Sequence, residues 1–179
     1  QAVGLRRDVL ERLVNEEENL TKYLMPGIDE MARLLRRIGK KAGIASQSPD
    51  GFIHTFFQRV TVDDKSIKDV FPKDAIVGET TLQGVKAAFS LLNQHVDSSL
   101  LYKPVPFPIY LAAARVQHRE GDHILYVGDH NVDAQCVGGR QNMTGLIVNK
   151  DEEKRNELSL MYGQQGNIIV VKSLGEVLT

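Results

Sequence analysis

Three stretches of this chain hold residues whose types and spacing could do chemistry on a charged substrate. The fullest is Ile124-Leu-Tyr-Val-Gly-Asp-His-Asn-Val-Asp133. A short apolar run without alternation reads as a strand buried on both faces, and Gly128 ends it. Asp129 then falls at the carboxyl end of that strand, and Asp133 one turn into a short helix expected over residues 131–138. Open parallel sheets bind ligands at that edge. Two carboxylates there suit a hard cation such as magnesium, which takes few protein carboxylates and keeps several waters. A plainer role for Asp129 is to cap the helix behind it. The second stretch is Ser46-Gln-Ser-Pro49. A hydroxyl at a strand end, followed by exposed helix N–H groups, can cradle a phosphate or simply cap the helix. The third is Lys103, inside Tyr102-Lys-Pro-Val-Pro-Phe-Pro108. A lysine held there neutralises a phosphoryl group as a point charge, or stands solvated.

The elements that must position these groups follow from periodicity. Leu5, Val9, Leu13 and Leu20 form a stripe that predicts a helix over residues 3–23, which Pro26-Gly27 breaks. A second helix, residues 28–38, stops at Gly39, a candidate αL cap. Its basic end (Arg33, Arg36, Arg37, Lys40, Lys41) could be an RNA patch, or a solvated face that complements the helix dipole. Residues 42–46 read as a short buried strand, and Ser48-Pro49 as the cap and first turn of a helix through Phe56 and Phe57. Residues 61–74 are polar and turn-rich. A strand end follows at 75–78, then an amphipathic helix over 82–96. Three prolines keep residues 102–108 out of helix and central strand. Helix is expected again over 109–116 and 151–161, strand over 144–148 and 167–171, and a terminal helical turn. Strands alternate with helices, so the class is α/β with a parallel sheet.

Composition narrows the setting. A length of 179 residues fits one domain with a full core. A formal net charge of -1 provides no global pull towards nucleic acid or anionic lipid. No apolar run reaches the length of a membrane span, and Arg6, Arg7, Asp8 and Glu11 interrupt any signal-peptide pattern. Cys136 is the single cysteine, which excludes an internal disulfide and makes a reducing, cytoplasmic setting the default. The five histidines include no i, i+4 pair of the zinc-protease kind.

Taken in order, strand-Ser46, Lys103-Pro before a helix, and strand-Gly128-Asp129-x-x-x-Asp133 resemble the haloacid dehalogenase superfamily of phosphatases and phosphotransferases. The resemblance runs from about Tyr23 to Thr179 and includes Met25-Pro-Gly-Ile-Asp-Glu-Met31, similar to the family's helix after the cap. It implies a three-layer, Rossmann-like parallel sheet with helices on both faces over residues 23–179. Residues 1–22 resemble the last helix of a cap region. By that likeness Ser46 would hold the transferred phosphoryl group, with Gln47 beside it. Lys103 would stabilise its charge and orient the nucleophile, Asp129 would bind magnesium directly, and Asp133 would support the metal site. The substrate implied is a small phosphomonoester.

The chain departs from that pattern where the reaction starts. The family's first motif is an apolar strand ending in Asp-x-Asp, and covalent phosphoryl transfer needs that nucleophile. This sequence contains no Asp-x-Asp; Asp63 and Asp64 are adjacent and follow no apolar strand. His130 stands where a small hydroxyl residue is usual, and Val105 and Phe107 replace acids of the lysine loop. The leading expectation is therefore a magnesium-dependent phosphatase domain seen without its nucleophile-bearing strand, a missing upstream segment being one source. The alternative is a non-catalytic descendant that keeps the fold for binding. A phospho-receiver domain also uses acids, a hydroxyl and a lysine, but places them in the reverse order. Homo-oligomerisation is left open.

Overall fold

A computed structural model describes Leu20 and residues 24–178 of the chain. Apart from Leu20, the helix expected over residues 3–23, and with it the cap-like piece 1–22, lies outside the described residues. The rest alternates as expected: α1 (Ile28–Arg37), β1 (Ile44–Ala45), α2 (Asp50–Gln58), β2 (Thr61–Val62), β3 (Lys65–Ser66), β4 (Ile76–Val77), α3 (Glu79–Leu91), α4 (Phe107–Arg115), β5 (Ile124–Gly128), α5 (Asn131–Val137), β6 (Met143–Val148), α6 (Glu152–Tyr162), β7 (Ile168–Val171) and α7 (Gly175–Leu178). The class is α/β with parallel pairing. Strands β5, β6 and β7 form one parallel ladder in that order, and β1 pairs in parallel with β4.

The three-stranded ladder has helices on both faces, and β6 shows why. Its residues alternate between two cores. Met143 and Ile147 pack with Ile109, Ala134, Val137, Leu158 and Tyr162 from α4, α5 and α6. Leu146 and Val148 pack on the opposite side with Ile28 and Met31 of α1 and with Leu174. Each such aliphatic side chain contributes roughly 1.5–3 kcal/mol when fully removed from water. A strand clothed on both sides has no polar face to offer, which is the reason for the unbroken apolar runs at 124–127 and 145–148.

A parallel sheet without its first-motif strand was the expectation, and the described residues form separate ladders rather than one sheet. β1 and β5 do not pair. Between them runs an apolar slot. On the α1 side it is a cavity of about 460 Å³ lined by Met31, Phe71, Ile44 and Ala45 opposite Tyr126 and Val127. On the α4 side it continues as a cavity of about 200 Å³, lined by Ala45, Ala113 and Val116 opposite Leu125 and Tyr126. Leu125 is 54% exposed in mid-strand because nothing lies beside it in this slot.

A second correction concerns residues 61–74, read as polar turns. They hold the antiparallel β2–β3 hairpin, with Asp63 and Asp64 at φ 53° and 59° in its turn. Val62, Ile67, Val70 and Phe71 of this segment, with Val60 just before it, are buried in a core with Leu20 and Ala32. Spaced by polar residues, these apolar positions match neither a strand nor a helix period, so their burial is not visible in the pattern. Arg36 holds the hairpin from α1. Its guanidinium donates to the carbonyls of Val62 (3.0 Å), Lys65 (3.2 Å) and Ser66 (3.1 Å) and pairs with Asp69 at 2.8 Å. Arg33 pairs with Asp63 at 3.0 Å. Neither arginine belongs to a free basic patch. Smaller shifts occur at element ends: α3 starts at Glu79 and stops at Leu91, and α2 starts at Asp50 after Pro49.

Candidate functional site

The expected Gly-Asp-x-x-x-Asp geometry is present, and its local logic is steric. A Cβ on Gly128 would lie 2.5 Å from Asp133 Cβ and 2.7 Å from its Oδ2, so only glycine lets the Asp133 side chain fold back over the strand end. There Asp133 Oδ2 accepts the backbone N–H groups of Asp129 and His130, both at 3.1 Å. This satisfies donors at the opening of α5, whose cap residue is His130. Capping, the plainer role considered for Asp129, belongs to Asp133.

The other oxygen of Asp133 meets the proline loop. Oδ1 accepts from Lys103 Nζ at 2.7 Å and from Tyr126 Oη at 2.7 Å, and Lys103 Nζ also donates to Tyr126 Oη at 2.6 Å. The Lys103 ammonium stands 5.3 Å from the Tyr126 ring centroid, a cation–π distance. Both charged side chains are enclosed, Lys103 at 11% and Asp133 at 6% exposure. Burial pushes the Asp133 carboxyl up, but the Lys103 charge and hydrogen bond, with Tyr126, outweigh it and hold the group below its ordinary value. The Tyr126 hydroxyl is raised far above its ordinary value, first by burial and then by the Asp133 charge. Cys136, on α5, is buried, and burial pushes its thiol up to about 11.

Asp129 is different. Its side chain is 53% exposed and touches His130 Nδ1 at 2.7 Å. Its carbonyl is held by Asn149 Nδ2 at 3.2 Å, from the loop after β6. Ligand atoms of Asp129, His130 and Asp133 all lie within 4.8 Å of one another. Asp133, however, already accepts four hydrogen bonds, two on each oxygen, which fills its acceptor capacity. Asp129 is the carboxylate left open for an ion.

Ser46 stands across the slot. Its N–H donates to Val77 O at 3.0 Å, extending the β1–β4 ladder by one residue, and its Oγ accepts the Ser48 N–H at 3.1 Å. Ser48 O accepts Glu79 N–H at 3.0 Å, and Asp50 accepts from Thr81 N and Thr81 Oγ1, so this loop is tied to the start of α3. Gly78 permits that approach: a Cβ there would lie 2.4 Å from Ser48 O. Gln47 is exposed. The loop after the single 3₁₀ turn Ser98–Leu100 links the two sides. Tyr102 packs with Val77 and Leu82 at the carboxyl end of β4, while the neighbouring Lys103 reaches Asp133 beyond the end of β5. Ser46 thus follows β1 and Asp129 follows β5, the strands on either side of the slot, and the loop carrying Tyr102 and Lys103 touches both sides, with Lys103 and Asp133 in contact.

Two contributors were missed in the sequence reading. Tyr126 counted only as a β-forming residue, although a hydroxyl among Ile124, Leu125 and Val127 needs a partner once buried. Asn149 carries no signal beyond its place after a strand. No protein-family model, curated protein or solved structure matches this chain. Among the described residues no helix is long and apolar enough to cross a membrane.

Proposed function

We propose that this chain is the core of a magnesium-dependent phosphatase of the haloacid dehalogenase kind, acting on a small phosphomonoester and completed by a strand bearing the nucleophile. The observation that carries the reading is the enclosed Lys103–Asp133 pair beside the exposed Asp129 at the carboxyl end of β5, with Ser46 following β1, the strand on the other side of an apolar slot. Helices on both faces of β5–β6–β7 support the three-layer arrangement that the reading requires.

The roles follow from the contacts. Ser46 Oγ and the N–H groups behind it hold phosphoryl oxygens, with Gln47 at the rim. Lys103, fixed by Asp133 and Tyr126, presents positive charge to the phosphoryl group in a low-dielectric setting. The donor set fits a weakly held, hydrated magnesium: Asp129 would hold it, and Asp133 orients the Asp129 loop through its N–H. Bound there, the ion would neutralise phosphoryl charge. The attacking carboxylate comes from the strand that fills the slot.

This chain by itself is expected to be inactive on an aryl phosphate with magnesium. Fusing an apolar strand that ends in Asp-x-Asp ahead of Leu24 should restore turnover, and Lys103→Met should abolish it. Turnover by the unfused chain that Asp129→Ala removes would place the nucleophile among the present residues and defeat the proposal. The second reading, a binding module without catalysis, is favoured by the ion pairing of Lys103 with Asp133. A fused chain that folds, binds phosphate and never turns over would decide for it.

A further inference from the structure

At the opposite pole of the sheet, three segments surround a polar cleft of about 540 Å³. Gly39, Lys40 and Lys41 follow α1, Pro72 and Asp74 precede β4, and Arg115, Gln117, Arg119 and Asp122 come from the end of α4 and the turn after it. Four cations thus face two carboxylates. Asp122 Oδ2 accepts the Arg119 backbone N–H at 2.8 Å, so it is engaged in its own turn. Arg115 is fixed by donating to Ile76 O at 2.5 Å, with its other N–H groups left over. Among the described residues, the side chains of Lys40, Lys41 and Arg119 make no hydrogen bond or ion pair.

Helix ends attract cations, and both α1 and α4 end here. That explanation does not account for these side chains. The last carbonyls of α1 are taken by backbone, from Ile38 N to Leu34, Gly39 N to Arg36 and Lys40 N to Leu35. Those of α4 accept Val116 N, Gln117 N and His118 N. The lysines and Arg119 cap nothing, and they converge on one cleft from separate segments.

We infer that the Lys40/Lys41/Arg115/Arg119 cleft is an anion site for a small, multiply charged phosphorylated molecule, separate from the Lys103 edge. Charge sets the class, since two cations in excess match a ligand of two or more negative charges. The lining narrows it further. No aromatic side chain borders the cleft, so there is no platform for a nucleobase. Pyrophosphate, a compact anion without a base, is the natural probe.

Pyrophosphate would be titrated into the whole chain by calorimetry without magnesium, at about 50 mM and about 200 mM salt. The expected result is saturable binding at one site per chain, weakened several-fold by the higher salt. Lys41→Gln with Arg119→Gln should weaken it at least about 10-fold with an unchanged melting temperature, because neither side chain has a partner to lose. Lys150→Gln, far from the cleft, should leave it unchanged. Asp129→Asn and Ser46→Ala should also leave it unchanged, which separates this site from the proposed phosphoryl site. Binding that survives the double substitution, does not saturate, or is lost with Ser46→Ala would overturn the inference.

Discussion

Asp133 and Asp129 are both carboxylates of one short motif, yet their surroundings assign them opposite work. Asp133 sits in a buried ion pair whose other partners are a tyrosine hydroxyl and two backbone N–H groups. Removing one partner of such a pair strands the other charge out of water, and the cost is about 3–5 kcal/mol. Asp133→Ala is therefore expected to lower the melting temperature sharply, while Asp129→Asn leaves it nearly unchanged and weakens manganese binding in relaxation titrations. Equal stability losses, or retained metal binding in Asp129→Asn, would reverse the assignment. The sign of the pH effect follows from the lowered Asp133 carboxyl. A group with a depressed folded value contributes stability that is fully present above its unfolded value, near about 3.9, and lost as pH falls below it. Acid melts of the wild type should lose this contribution below that point, and Asp133→Ala should show a shallower slope there. The carboxylates were legible in the sequence because glycine and spacing fix their backbone. Their division of labour was not, because it depends on Lys103 and Tyr126 arriving from elsewhere.

Among the elements, the longest apolar runs were the most readable. β5, β6, β7 and the helices between them follow from buried strands needing cover on both faces, and they appear near their expected positions. The 61–74 segment was unreadable for the converse reason. Its turns are local, but its order comes from tertiary contacts, above all the Arg36 fork, which a sequence shows only as one more basic residue on a charged face. Arginine satisfies that many acceptors with one planar group, and lysine lacks the geometry. Arg36→Lys should therefore behave almost like Arg36→Ala, each costing on the order of 2 kcal/mol, since hydrogen bonds to a charged group run about 1.5–3. Urea denaturation would measure it, and amide exchange should report faster opening over residues 60–71. A lysine variant as stable as wild type would mean that apolar burial alone holds the hairpin down.

The whole molecule is shaped by the separation between β1 and β5. Each has a ladder partner on one side and, among the described residues, an unpaired backbone edge on the other. The edges face each other over apolar walls supplied by α1 and α4, as a sheet with one strand withdrawn would leave them. Unpaired backbone groups in apolar surroundings are costly, and an open strand edge invites another chain. The isolated chain is therefore expected to self-associate, with light scattering above the monomer value. A strand able to relieve this must be apolar on both faces, because Met31 and Phe71 lie on one side and Ala113 and Val116 on the other. Parallel pairing with β1 and β5 would bring its carboxyl end between Ser46 and Asp129. Supplied as an N-terminal fusion or a peptide, such a strand gains backbone pairing on both edges and covers Leu125. A gain of about 3 kcal/mol corresponds to roughly 6–12 °C in melting temperature for a domain of this size, together with a return to monomer. A peptide of the same length with polar residues on one face should do neither. A monomeric chain whose cooperative melt ignores the added strand would mean that the slot closes by itself in solution, and the reading that joins Ser46 to Asp129 in one site would fall with it.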